Sequence, residues 1–303
     1  MDGMYRGALA AAAAVVFIIV ALIVIEITHG ALPSIRTLGW GFLVQSQWDP
    51  VADRYGALPY IYGTLVSSLL ALVLAVPLGL GSAVFLAELA KGRTAAIVSF
   101  VMELLAAIPS IVYGIWGFFV LAPFLRTTLE PWLIANFGYL PLFRGVPFGI
   151  GMLNAGIVLA IMIIPTIVSI SREVLLAIPR SLREASLALG ATRAEALGVT
   201  LDAAKPGILG SIVLALGRAL GETMAVTMVI GNTNRISASL LDPSATMASV
   251  IANEFTEATG ALYLSALIQI ALVLFAVTIV VNALARSLVW LTTGGRRDVA
   301  GAT

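Results

Sequence analysis

Two charged residues interrupt an otherwise apolar run, Arg218 and Glu222, inside the stretch 207–230. An arginine at the centre of a membrane span costs at least about 2.5–3.5 kcal/mol on insertion scales. It stays charged at any working pH, and its planar fork donates paired hydrogen bonds to an oxyanion. The four-residue spacing predicts that both side chains share one helix face. Arg before Glu is the poorer order for a helical ion pair, because it opposes the helix dipole. Helix stabilisation is therefore a weak reason for the pair. Two readings follow: a buried ion pair between helices, or a face lining a translocation path. In the second, Glu222 holds Arg218 in place and weakens anion binding enough for release. A third charge, Glu103, lies inside another apolar run, facing either the same cavity or a contact between subunits. Ser110 follows Pro109; its hydroxyl either satisfies the carbonyl that proline frees or touches substrate. Asn232 reads as an end cap rather than a ligand.

Other chemistries are excluded by absence. The chain has no cysteine and one histidine, His29, so thiolate sites and histidine-rich metal sites are ruled out. No nucleophile with an adjacent base is evident, which argues against an intramembrane hydrolase. No Gly-x4-Gly-Lys-Ser/Thr loop occurs, so ATP-driven work needs a separate ATP-binding subunit. No cofactor or metal is expected.

The elements that position these residues are set by composition. Of 303 residues, 60% are apolar and 11% charged, against roughly 25% charged in soluble domains. Lipid is the implied solvent. A net charge of +1 with no basic run gives no footprint for nucleic acid. Six apolar stretches reach the roughly 20 residues a span needs: 8–28, 61–87, 95–123, 150–171, 207–230 and 262–291. The expected fold is all-α, a polytopic membrane protein. The first stretch is too long for a signal peptide core and reads as a retained helix. Eleven Lys and Arg fall in the connections on one side and five on the other, which places both termini in the cytoplasm. The outer connections, 29–60 and 124–149, carry Trp40, Trp48 and Trp132 and are long enough to receive a partner. Breakers such as Pro77, Pro109 and Pro165 predict bends, either for packing or around a cavity.

The connection 172–206 is too polar to span. Ser181 with Glu184, and Thr192 with Glu195, read as capping boxes opening two short helices with a turn at Gly190. Leu182, Ala185, Ser186 and Leu189 fall on one face of the first. That face either packs on the membrane domain or docks into a groove of another protein.

Glu184-Ala185-Ser186 followed by Gly190 resembles the Glu-Ala-Ala…Gly loop of ABC-importer permease subunits. Residues 217–232, Gly-Arg-Ala-Leu-Gly-Glu-Thr-Met-Ala-Val-Thr-Met-Val-Ile-Gly-Asn, resemble a signature of the phosphate-uptake permeases in that family. Residues 106–117, Ala-Ala-Ile-Pro-Ser-Ile-Val-Tyr-Gly-Ile-Trp-Gly, resemble a second. The resemblance implies the type I ABC-importer permease fold and a phosphate permease subunit of an ATP-driven importer. It implies that Glu184, Ala185, Ser186, Leu189 and Gly190 form a coupling helix that inserts into the ATP-binding subunit. It places Arg218 and Glu222 in the substrate path, to which Glu103 and Ser110 are added as candidates. The implied partners are a second permease subunit, a dimeric ATP-binding subunit, an extracytoplasmic phosphate-binding protein and phosphate itself, in the bacterial cytoplasmic membrane. Sulfate and molybdate permeases share the fold, and an ion-gradient-driven transporter is the remaining alternative. The expected organisation is an N-terminal helix and external loop at 1–60, a permease core at 61–291 containing the loop 172–206, and a cytoplasmic tail at 292–303.

Overall fold

The computed structural model describes residues 2–90 and 92–293. Lys91 and residues 294–303, and with them nearly all of the expected tail, lie outside that description. Among the described residues, six helices are long and apolar enough to cross a membrane.

The first is α1 (Asp2–Leu38), which a short α2 (Gly41–Val44) follows. The second is α3 (Leu58–Val84), finished by a π turn at Phe85–Leu89. α4 (Arg93–Ala107) is too short to span. The third spanning helix begins at α5 (Ser110–Trp116) and runs through two π turns, α6 (Ala122–Phe124) and α7 (Glu130–Phe137). Then come α8 (Met152–Ala177), α9 (Arg180–Ala188), α10 (Arg193–Leu220), α11 (Met224–Val229), α12 (Met247–Glu254) and α13 (Ala261–Thr293).

Three boundaries differ from the sequence reading. The expected span 95–123 is two helices, because Pro109 has no N–H to continue the ladder and holds Ile108 extended. The expected span 207–230 is broken after Leu220 and begins earlier, at Arg193. The outer connections are shorter than expected, since α1 runs on to Leu38 and the third spanning helix to Phe137. Pro77 and Pro165, by contrast, sit inside continuous helices.

α8 is the central element: 67% of its most apolar stretch is buried, against none for α1. Without water to drive helices together, close approach depends on small residues and buried hydroxyls. A Cβ on Gly79 would lie 2.8 Å from Ile167, and one on Gly156 would lie 2.4 Å from Leu70. These contacts set α3 parallel to α8. α10 runs antiparallel to α8, joined by the buried hydroxyl pair Ser171 and Ser211 at 2.8 Å. α1 and α13 pair through Gly30 against Ile268 and through the Ser34 N–H, which donates to Ser265 Oγ at 3.0 Å.

The two ends of the bundle close differently. At one end Phe42, Trp48, Tyr55, Tyr60, Met247, Leu267 and Ile270 form an aromatic-rich core. Glu254 accepts hydrogen bonds there from Trp48 Nε1 and Tyr263 Oη, both at 2.7 Å. Burial and the Asp53 carboxylate push the Tyr55 phenol up to about 12, so it stays a neutral donor. At the other end Ala83, Leu175, Ala204 and Ile208 join the termini of α3 and α8 to the middle of α10. This end carries α9 and is called the loop end below.

Glycine packing gives a direct test. In Gly63→Ala the new Cβ would meet the Ala245 carbonyl oxygen at 2.0 Å, whereas Gly81 has nothing within 4 Å. Gly63→Ala is expected to destabilise the detergent-solubilised protein by about 1–3 kcal/mol. Gly81→Ala is expected to be neutral or stabilising by up to about 1 kcal/mol. Thermal melts of the two variants check both.

Candidate functional site

The site is built on two interrupted helices. α10 ends at Leu220, with Arg218 in its last turn, and α11 begins after Thr223. Arg218 and Glu222 therefore do not share a helix face, and they form no ion pair with each other. Each sits at the helix end that suits its charge. Arg218 lies where the α10 carbonyls point outward and is exposed within this chain. Glu222 precedes α11, and its carboxylate accepts the Ala225 N–H at 3.2 Å. The unfavourable Arg–Glu order on a single helix is removed by the break. At the far end of α11, Asn232 has a positive φ of 49° and donates from Nδ2 to the Thr227 carbonyl at 2.7 Å, the end cap its position predicts.

The second interruption is at Pro109. Leu105 would offer its carbonyl to the N–H four residues on, and proline has none. The Tyr113 hydroxyl supplies the missing donor at 2.7 Å. Ser110, expected as that donor, instead opens α5 half-buried, and its hydroxyl makes no hydrogen bond among the described residues. Sequence reading passed over Tyr113; its place four residues after a proline in an apolar run is the signal that could have found it.

The two breaks lie side by side because α5 packs on α11. A Cβ on Gly114 would lie 2.8 Å from Met228 Sδ and 3.0 Å from Ala225 Cα. One on Gly117 would lie 2.8 Å from both Val158 and Val229. Asn154 of α8 fixes this arrangement by donating to the carbonyls of Gly117 at 3.2 Å and Gly149 at 2.8 Å. The two stretches 106–117 and 217–232 are thus one structural unit.

Glu103 makes no hydrogen bond or ion pair to it among the described residues. It lines a separate cavity of about 80 Å³ between α4 and α8, with Ser99, Ser169 and Arg172. Arg172 Nε and Ser99 Oγ are buried there without a hydrogen-bond partner.

At the loop end, α9 stands out from the bundle. It starts at Arg180 after Pro179, with no side-chain cap. Ser181 is therefore inside the first turn, and the capping box expected from Ser181 and Glu184 does not form. Its end is a Schellman motif: Gly190, at φ +89°, donates to Leu187 O at 3.0 Å and Ala191 donates to Ser186 O at 3.1 Å. The box of Thr192 and Glu195 is present, but it opens the long α10 rather than a second short helix. No residue of α9 is buried. Of the face expected to need cover, Ser186 is half-buried, and Leu182, Ala185 and Leu189 are exposed, Leu189 at 89%. None of the described residues covers them.

A six-helix bundle, two interrupted helices at its centre and an uncovered amphipathic helix between two spans together define a transport component of the membrane. Residues 75–290 match the family of binding-protein-dependent transport system inner membrane components, and the chain belongs to that family. It is 46% identical over 94% of its length to the phosphate transport system permease protein PstC of Mesorhizobium japonicum, covering 89% of that protein. It is 45% identical to the protein of the same name from Haemophilus influenzae, covering 95% of this chain and 93% of that one. A probable PstC of Methanocaldococcus jannaschii is 37% identical, over 88% of this chain and 87% of the other. Among solved structures, one of the inward-facing MetNI methionine ABC transporter superposes with a TM-score of 0.60 at 20% identity, covering 77% of this chain and 94% of that chain. That likeness bears on the fold, and it is an ABC-importer permease fold.

Removing the Tyr113 hydroxyl isolates the role of the second break. Tyr113→Phe leaves the Leu105 carbonyl unpaired in an apolar setting and is expected to cost about 1–3 kcal/mol. Thermal stability of the purified variant measures it; a melt unchanged from wild type would show that another donor takes over.

Proposed function

We propose that this chain is the membrane-spanning permease subunit of an ATP-driven phosphate importer of the cytoplasmic membrane, and that the interrupted α10–α11 segment lines its substrate path. The observation that carries the reading is Arg218 at the end of an interrupted helix, in a chain 46% identical nearly end to end to a permease named for phosphate transport. A guanidinium there can present two parallel N–H donors to phosphate oxygens without competition from a salt-bridged carboxylate. Glu222 is held by the Ala225 N–H rather than by Arg218. It stays close enough in sequence to oppose an anion and so favour release over tight binding. Ser110, with its free hydroxyl, lies on the adjoining α5 as a secondary polar contact. Glu103 belongs to the separate α4–α8 cavity and contributes, if at all, away from Arg218.

Work enters at α9. The exposed Leu182, Ala185 and Leu189 fit the groove of an ATP-binding subunit, flanked by Glu184 and Ser186 and ended by the turn at Gly190. With no ATP-cradling loop of its own, the chain needs that subunit for hydrolysis. A second permease subunit completes the path and a phosphate-binding protein delivers the anion. The distribution of Lys and Arg puts the loop end and both termini in the cytoplasm. In this reading residues 61–291 are the permease core and 1–60 an added helix with its external connection.

Two measurements test it. Each charge-assisted hydrogen bond contributes about 1.5–3 kcal/mol, so Arg218→Gln should lower phosphate uptake by intact cells at least roughly tenfold at an unchanged protein level. Normal accumulation would remove Arg218 from the path. Leu189→Glu places a charge on the docking face, and the chain should then lose the ATP-binding subunit on co-purification. Retention of that subunit in full would contradict docking through α9.

A further inference from the structure

We propose that the ion pair between Arg183 and Glu88 is the contact that transmits displacement of α9 to the membrane bundle; the proposal rests on the reading of α9 given above. α9 has little else to hold it. Its residues are exposed apart from Arg183 and Ser186, which are half-buried one turn apart on the side facing the bundle. The Ser186 hydroxyl is spent within α9, donating to the Leu182 carbonyl at 3.0 Å. The connections at either end are Pro179 and Gly190, and nothing lies within 4 Å of where a Gly190 Cβ would be. Arg183 is left as the side chain that ties the helix inward, and its partner is Glu88.

Glu88 is well placed to receive a pull. Its side chain is 9% exposed against 35% for Arg183, so the anchor is well shielded and the moving partner is more open to solvent. It lies in the π turn at Phe85–Leu89 that finishes α3. Such turns carry an extra residue, which re-aims the side chains that follow, and they recur at functional sites. Behind Glu88, Ala83 packs with Leu175, Ala204 and Ile208 in the small core that joins the ends of α3 and α8 to the middle of α10. A force on Glu88 therefore reaches α3 and, through the contacts of Gly79 and Gly156, the central helix α8.

The chemistry suits the task. An apolar contact strong enough to hold α9 would have to bury the face that docks elsewhere. A single, partly shielded ion pair leaves that face free, and breaking it leaves the Glu88 carboxylate, 9% exposed, without its partner. A cavity of about 120 Å³ beside the pair, lined by Leu175, Ile178, Arg180 and Thr200 among others, gives α9 room to shift. Arg183 and Glu88 are positioning residues in this scheme and touch neither phosphate nor ATP.

The test uses the full importer in liposomes with its binding protein, reading phosphate moved per ATP hydrolysed. Glu88→Gln and Arg183→Gln are near-isosteric or surface changes that leave packing intact. Each should lower the ratio about tenfold, within the usual range of coupling energies, while the ATP-binding subunit stays bound. Because both remove one interaction, the double variant should be no worse than either single one, and Arg183→Lys should recover part of the ratio. An unchanged ratio in the single variants, losses that multiply in the double one, or release of the ATP-binding subunit would each overturn the proposal. Failure of the wild-type complex to accumulate phosphate would instead defeat the functional reading, and it is seen before any variant is compared.

Discussion

A backbone carbonyl in hydrocarbon has no water to turn to, so every interruption of a membrane helix must be repaired by a side chain or by a neighbouring helix. The centre of this protein is organised by that constraint. Pro109 frees the Leu105 carbonyl, and the Tyr113 hydroxyl takes it up. The ends of α11 are closed by Glu222 and Asn232. Asn154 serves two further carbonyls, at Gly117 and Gly149. With these repairs in place, two broken helices can lie against each other at glycine distance, and a charged side chain can sit at a helix end.

The repairs also explain why the polar residues divide as they do. Asn154 and Tyr113 are committed to backbone and hold geometry. Arg218 and Ser110 are uncommitted and exposed or half-buried within this chain, which is what a path residue requires. The loop end follows the opposite logic. There the bundle is closed by a small apolar core, and an ion pair, rather than burial, keeps α9 in place. The centre and the loop end are linked by α8 and α10, which share the Ser171–Ser211 hydrogen bond one turn from the loop-end core.

Much of this is legible in the sequence, and the misses share a cause. Hydrophobic length finds six spans, and local rules find the Thr192–Glu195 box, the turn at Gly190 and the cap at Asn232, because each is set by residues close in sequence. The break at Gly221 is hidden, since residues 207–230 read as one apolar helix, and Gly207, Gly210 and Gly217 in the same run are carried within a helix. Just past the break, Ala225 and Met228 of α11 pack on Gly114 of α5, a contact that no local pattern reveals. The start of that span at Arg193 is hidden for the converse reason: a polar beginning does not look like part of a membrane helix, yet it continues past Pro206 without a break. Ser181 and Glu184 match a capping box in spacing, but Pro179 already starts the helix one residue earlier. Glu88 carries no local signal, because its partner comes from a helix far along the chain.

The proposed function turns on a guanidinium fork at the α10 break that handles phosphate. The most direct measurement is ATP-dependent uptake of radiolabelled phosphate by the reconstituted importer carrying Arg218→Lys. Lysine keeps the charge and loses the planar pair of donors, so initial uptake should fall well below wild type although the subunits assemble and hydrolyse ATP. Wild-type uptake by that variant would contradict a forked contact at Arg218 and reduce the residue to a general positive charge.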